Sequence, residues 1–212
     1  EPMCVSHQHK AIFVHIGKTA GTSIEYLLGC HGKNEKVGVV LNKKRTQNKQ
    51  NLWGGSMNHW NIRQIKKHLT RSQFTTYTKF TVVRNPYDRV VSYVAHDKQR
   101  WATKTHLTIE KFRKTVAQKL KNLKGNRMKP QVEMICLKDK IVLDKILHFE
   151  NLNEEWNGFK GELNIKEDLP IRLKSYRQNF KEYYTEELAT LVWDKFRQDF
   201  ISFGYEKDSW KK

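Results

Sequence analysis

Acidic residues are scarce in this chain. Asp and Glu number 22 against 40 Lys and Arg, a formal net charge of +18 over 212 residues. That imbalance is silent about fold, but it favours a polyanionic or phosphorylated partner, because a cationic surface raises the local concentration of anions. Cysteine is scarce as well. Cys4, Cys30 and Cys136 are too few for a disulfide scaffold, and their odd count leaves at least one thiol outside any bridge. With four prolines and 11 glycines, no Pro/Gly-rich linker divides the chain, and one domain is expected. No run approaches the ~18 apolar residues of a membrane span. No Asn-x-Ser/Thr sequon occurs, which counts against a glycosylated lumenal protein. The chain opens on Glu1 rather than Met and shows no signal peptide, so a processed or truncated chain is expected. The compartment stays open between the cytoplasm and a Golgi-type lumen.

Bulky residues are plentiful. Six Trp, eight Tyr and ten Phe supply core material that a disordered chain lacks. Residues 1–10 are polar, carry His7 and His9, and read as a flexible lead-in to a domain over 11–212. The pair His-x-His is compatible with metal binding, but a loose tail is the plainer reading. Ala11–Ile16 is a short β-branched run that reads as a buried strand, and Ile24–Leu28 reads as a helix ended by Gly29. A basic segment follows over 31–56, with a short strand expected at Val37–Leu41. One helix is expected within His59–Thr70, a second strand at Lys79–Val83, and a helix entered at Pro86. Ile109–Leu123 is a basic amphipathic helix capped by Thr108, Gln131–Leu137 is ambiguous, and Lys145–Phe149 is a third strand. Thr185 caps a last helix with Glu186 and Glu187 in its first turn. Strands alternating with helices predict an α/β domain with a central parallel sheet flanked by helices.

The strongest chemical signal is Gly17-Lys18-Thr19-Ala20-Gly21-Thr22-Ser23, between the first strand and its helix. Small residues let the backbone turn so that successive amides face an anion, and the helix start adds its positive end. Lys18 supplies a cation, and Thr19, Thr22 and Ser23 supply hydroxyls. The nucleotide-hydrolase loop G-x-x-x-x-G-K-[ST] fits poorly, because its first Gly would fall at Ile12. The second strand ends in Arg84 rather than in a Mg²⁺-binding carboxylate, which suits a second phosphate. Arg84 offers a bidentate grip, and Ser92 on the following helix adds a hydroxyl.

Phe13–Ser23 resembles the 5′-phosphosulfate loop of the carbohydrate sulfotransferases, nearest to the heparan-sulfate 2-O- and 6-O- and chondroitin-type enzymes. Val82–Tyr93 resembles their 3′-phosphate segment. Phe149-Glu150-Asn151-Leu152, Tyr183–Leu188, Asp199-Phe200 and Phe203-Gly204-Tyr205 resemble their C-terminal pattern. Gly17, where the family usually has Pro, and Ala20, where it often has Gly, depart from the motif. The resemblance implies a P-loop-like fold and 3′-phosphoadenosine 5′-phosphosulfate as donor, with no metal. It implies Gly17 to Ser23, Arg84, Ser92, Ser175 and Arg177 as donor-binding residues, Lys18 as the group that stabilises the leaving phosphate, and Arg172 and Lys174 toward the acceptor. In the 2-O relatives a His between the two motifs is the base. Here His31, His59 and His68 fall in that interval. His59, just before an amphipathic helix, takes the role, with a capping or packing residue as its plainer reading. His15 reads as a strand residue holding the loop. Glu150 reads either as orienting a site residue or as a helix-start acid.

Sulfuryl transfer to a hydroxyl of an anionic carbohydrate or small acceptor is therefore expected, by a monomer with no nucleic-acid partner. A P-loop kinase or phosphotransferase would instead depend on Mg²⁺. A non-catalytic binder of glycan or nucleic acid would be indifferent to the loss of Lys18.

Overall fold

A computed structural model describes residues 4–30, 59–96, 106–122, 128–170 and 177–211. The expected strand at Val37–Leu41, and His31, Arg172, Lys174 and Ser175, lie outside them.

The first apolar run forms β2 (Ala11–Val14), all four residues buried. It pairs in parallel with β3 (Thr78–Val83), Phe13 opposite Phe80. In turn β3 pairs in parallel with β6 (Lys145–His148), Val83 opposite His148. The lead-in is not loose where it is described. Cys4–Ser6 is strand β1, antiparallel to β2, which gives the sheet order β1-β2-β3-β6. Three side-chain ties explain the difference. His7 shares a 2.6 Å hydrogen bond with the Tyr77 hydroxyl, and His9 donates to the Leu163 carbonyl at 2.8 Å. A disulfide joins Cys4 to Cys30, Cα atoms 5.4 Å apart. The two histidines thus point to different elements, not to one metal.

Helix α1 (Gly21–Leu27) covers one sheet face together with α7 (Leu152–Phe159), burying Phe13, Ile24, Leu28, Phe80, Trp156 and Phe159. On the other face Val14, Ile16 and Val83 meet Ile62 and Ile65 of α2 (Ile62–Lys66) and Met134 and Ile135 of α6 (Gln131–Ile135). The helix expected within His59–Thr70 is α2, and a further short helix follows it. Asn61 and Gln64 form a capping box on α2, and Thr70 and Gln73 form a second one that starts α3 (Arg71–Thr76). The ambiguous stretch Gln131–Leu137 is α6 followed by β4 (Cys136–Leu137), which pairs with β5 (Lys140–Ile141).

A third core packs α4 (Pro86–Ala95) against α5 (Ile109–Lys121) and α8 (Glu186–Phe203) through Val90, Val94, Phe112, Val116, Val192 and Phe200. Both long helices use the caps read from sequence: Thr108 accepts from the Lys111 amide and Thr185 from the Leu188 amide. Gly204, at φ 72°, ends α8, a left-handed turn that glycine takes without cost. The fold is α/β, its sheet mainly parallel and helices on both faces. Among the described residues no helix is long and apolar enough to cross a membrane.

Candidate functional site

Parallel strands deliver their carboxyl ends to one edge of the sheet, and the connections there build the site. Residues 17–20 follow β2, Arg84 and Asn85 follow β3, and Phe149 and Glu150 follow β6. The register sets their meeting. Because Val83 lies opposite His148, the next residue of each strand comes face to face, and the Arg84 guanidinium stacks 3.7 Å from the Phe149 ring centroid.

The loop turns through two left-handed residues, Lys18 at φ 73° and Ala20 at φ 65°. Neither is glycine, so each carries backbone strain of ~1–2 kcal/mol. Ala20 stands where the resembled motif often has Gly, and its φ gives the reason. Gly17 is outside the left-handed region, which agrees with a motif that tolerates Pro there. No side chain caps α1. The Thr19 hydroxyl donates to the Ile16 carbonyl at 2.8 Å and Ser23 to the Pro170 carbonyl at 2.9 Å. Those two hydroxyl protons thus brace the loop and the helix.

Gly21 has a specific reason to lack a side chain. A Cβ there would sit 2.0 Å from Cδ2 of His15, whose ring lies across the start of α1. His15 Nδ1 is 2.7 Å from Oε1 of Glu25, one helical turn beyond Gly21. His59 is buried against the same place. Its Nδ1 donates to the His15 carbonyl at 3.0 Å, and the two rings meet edge to face at 4.6 Å. A carbonyl only accepts, so Nδ1 of His59 carries the proton and Nε2 the lone pair in the neutral ring.

The two anion-binding segments are joined through Arg84. Its Nη1 donates to the Lys18 carbonyl at 3.0 Å, a contact between residues 66 apart in the chain. Its Nε and Nη2 reach Oδ2 of Asp88 at 2.8 and 2.6 Å. The other Asp88 oxygen, Oδ1, lies 2.7 Å from Nη2 of Arg177 without a well-aligned hydrogen bond. Arg84 and Arg177, both expected at the donor, therefore converge on one carboxylate. Burial pulls the Arg84 guanidinium below its usual value while Asp88 pulls it back up. Ser92 is buried on α4 one turn beyond Asp88.

Arg89, Asp199 and Gln131 were given no role by the sequence reading, and Glu150 was given two. Arg89 is fully buried, and it donates from Nε to the Gly17 carbonyl at 3.0 Å and from Nη1 to the Lys129 carbonyl at 2.9 Å. Burial lowers its value to about 10, which leaves it charged at neutral pH. Its Nη1 lies 3.9 Å from Oδ2 of Asp199, the counter-charge within the core. The Asp199 carboxylate accepts from the Gln131 and Val132 amides at 2.8 and 2.9 Å. The Gln131 side chain then clasps both backbone groups of Arg84. Glu150 orients the β3–α4 turn rather than starting a helix by charge alone. It accepts from the Asn85 amide at 2.8 Å and the Tyr205 hydroxyl at 2.9 Å. The signals for these were partial. Asp88, Arg89 and Glu150 all stood inside quoted motifs, but nothing in spacing says which distant carbonyl a buried guanidinium will reach.

His68 stacks on Trp60, ring centroids 4.7 Å apart, and takes no part in this cluster. Among the described residues no three His, Cys, Asp or Glu side chains gather as a metal site. A groove of about 690 Å³ is lined by Asn61, Arg63, Lys129, Glu133, Asp139 and Gln198 among others, and neither His59 nor the loop lines it.

Arg84, Arg89 and Arg177 thus gather around the loop, with Asp88 and Asp199 as their counter-charges. In comparisons with known proteins, a family model described as "Sulfotransferase family" matches residues 1–206. No curated protein and no solved structure matches the chain.

Proposed function

Because the chain belongs to the sulfotransferase family, a transferase family of P-loop-like α/β fold, we propose that it moves the sulfuryl group of 3′-phosphoadenosine 5′-phosphosulfate to a carbohydrate hydroxyl. One observation carries the reading. The Gly17–Ser23 loop and the Arg84 segment, far apart in sequence, share a hydrogen bond from Arg84 to the Lys18 carbonyl. The loop takes the phosphosulfate and the Arg84–Ser92 segment the 3′-phosphate, with Arg177 beside it. For a phosphate to be gripped by Arg84, Asp88 has to yield its place or share it.

The acceptor oxygen attacks sulfur in line, the bond from sulfur to the bridging phosphate oxygen breaks, and the bisphosphate leaves. The acceptor proton passes to His59 Nε2, a step worth about 10²–10⁴-fold in rate. Charge grows on the bridging oxygen, where Lys18 and the loop amides stabilise it. The positive charge of the chain favours an anionic acceptor.

The test is thermal unfolding with 3′-phosphoadenosine 5′-phosphate, with ATP·Mg²⁺ and with heparin. At ligand near 100 times its dissociation constant the stabilisation is ~2.7 kcal/mol, a shift of roughly 5–10 °C. The bisphosphate is expected to give that shift without Mg²⁺, and Arg84→Ala to abolish it. A shift with ATP·Mg²⁺ alone would turn the reading to a kinase, and one with heparin alone to a basic binding protein.

A further inference from the structure

The interior of a sheet–helix layer is a costly place for an ionisable pair. Replacing such a pair with apolar groups of similar volume is often neutral or stabilising. His15 and Glu25 form one there, each side chain about 10 % exposed, among Phe13, Ile24 and Leu28. Their geometry is specific. His15 shares the sheet face of Phe13 and stacks on it at 5.8 Å. Gly21 and Glu25 lie one turn apart on the helix face that meets it, so the first makes room for the ring and the second grips it. Residue 15 also touches His59 twice, through its carbonyl at Nδ1 and through its ring at 4.6 Å. No sequence motif required this constellation, and the plain role first read for His15, holding the loop, does not account for its contacts with His59.

We infer that His15, oriented by Glu25, is a positioning residue of the transfer site, fixing the ring of His59 relative to the donor loop. Glu25 holds the His15 ring against Gly21. That ring then forms a wall against His59, while the His15 carbonyl selects the Nδ1–H tautomer. The neutral His59 ring is left with one position and with its lone pair on Nε2. The inference rests on the proposed role of His59. A displacement of that ring by about 1 Å would cost up to ~10²-fold in rate.

Four variants separate the possibilities: Glu25→Leu, Glu25→Gln, His15→Phe and His59→Ala. Each is assayed for kcat and for both KM values. Each is also assayed for its thermal shift with 3′-phosphoadenosine 5′-phosphate, and the first three for the His59 ring ¹⁵N shifts. Glu25→Leu and His15→Phe are expected to lower kcat roughly 10–100-fold while donor KM and the bisphosphate shift hold within about twofold. With its wall gone the His59 ring leaves the His15 carbonyl part of the time, so its nitrogens should then show mixed tautomers. Glu25→Gln keeps an acceptor oxygen and should restore most of kcat. Unchanged kcat and unchanged ¹⁵N shifts in the first two would overturn the inference while leaving His59 untouched. Loss of the bisphosphate shift in both, not restored by Glu25→Gln, would overturn it in favour of a purely structural pair. Full activity in His59→Ala would sink the reading of His59 itself, whatever the others do.

Discussion

Neighbouring small residues in the loop answer to different constraints. Ala20 pays for a left-handed backbone, whereas Gly21 makes way for His15. Ala20→Gly is therefore expected to be neutral or to stabilise by up to about 1 kcal/mol, since relief of strain outweighs the added freedom of the unfolded chain. Gly21→Ala is expected to lower both the melting temperature and the bisphosphate shift, because the new Cβ meets the His15 ring rather than open space. Calorimetry on the two variants checks both signs. Arg89 has a different dependence. Arg89→Met leaves the Asp199 carboxylate without its counter-charge in the core and frees the Gly17 carbonyl. A loss of about 3–5 kcal/mol is expected in urea unfolding. At this scale the sequence was readable in where Lys18 and Arg84 stand, each in the connection that follows a parallel strand. It was unreadable where the partner is a main-chain carbonyl across the fold, as for Arg89 and Gly17.

Elements were legible where local chemistry starts or stops them. Thr108, Thr185, Pro86 and Gly204 all stand at the helix ends where capping rules put them. The same rules, applied at Thr70, would have started α3, which the sequence reading left out because Arg71–Thr76 buries no residue and so carries no apolar stripe. β1 was illegible because three residues carry no periodicity, and its place depends on pairing with β2 and on the bond to Cys30. That bond ties the sheet edge to the end of α1 and spans 26 residues of sequence. Cys4→Ser with Cys30→Ser is expected to cost roughly 3 kcal/mol, a fall in melting temperature of roughly 6–12 °C. Because the Gly17–Ser23 loop runs directly into α1, the bisphosphate shift should shrink along with it. Differential scanning with and without the bisphosphate measures both.

For the molecule as a whole, the alternation of strands and helices made the fold class legible, while the pairing order of the strands needed the structure. A net charge of +18 implies that attraction for an anionic acceptor acts partly at long range. Rising ionic strength is therefore expected to raise KM for an anionic glycan and to leave KM for a neutral sugar acceptor nearly unchanged. Initial-rate measurements over a salt series check this, and equal salt dependence for both acceptors would refute it. The Cys4–Cys30 bond has a consequence at this scale too. Where glutathione keeps thiols reduced such a bond does not persist, and where the surroundings are oxidising it does. The covalent state of the chain is therefore expected to follow the redox poise of its surroundings. Only the oxidised form has β1 and the far end of α1 sewn together behind the donor loop.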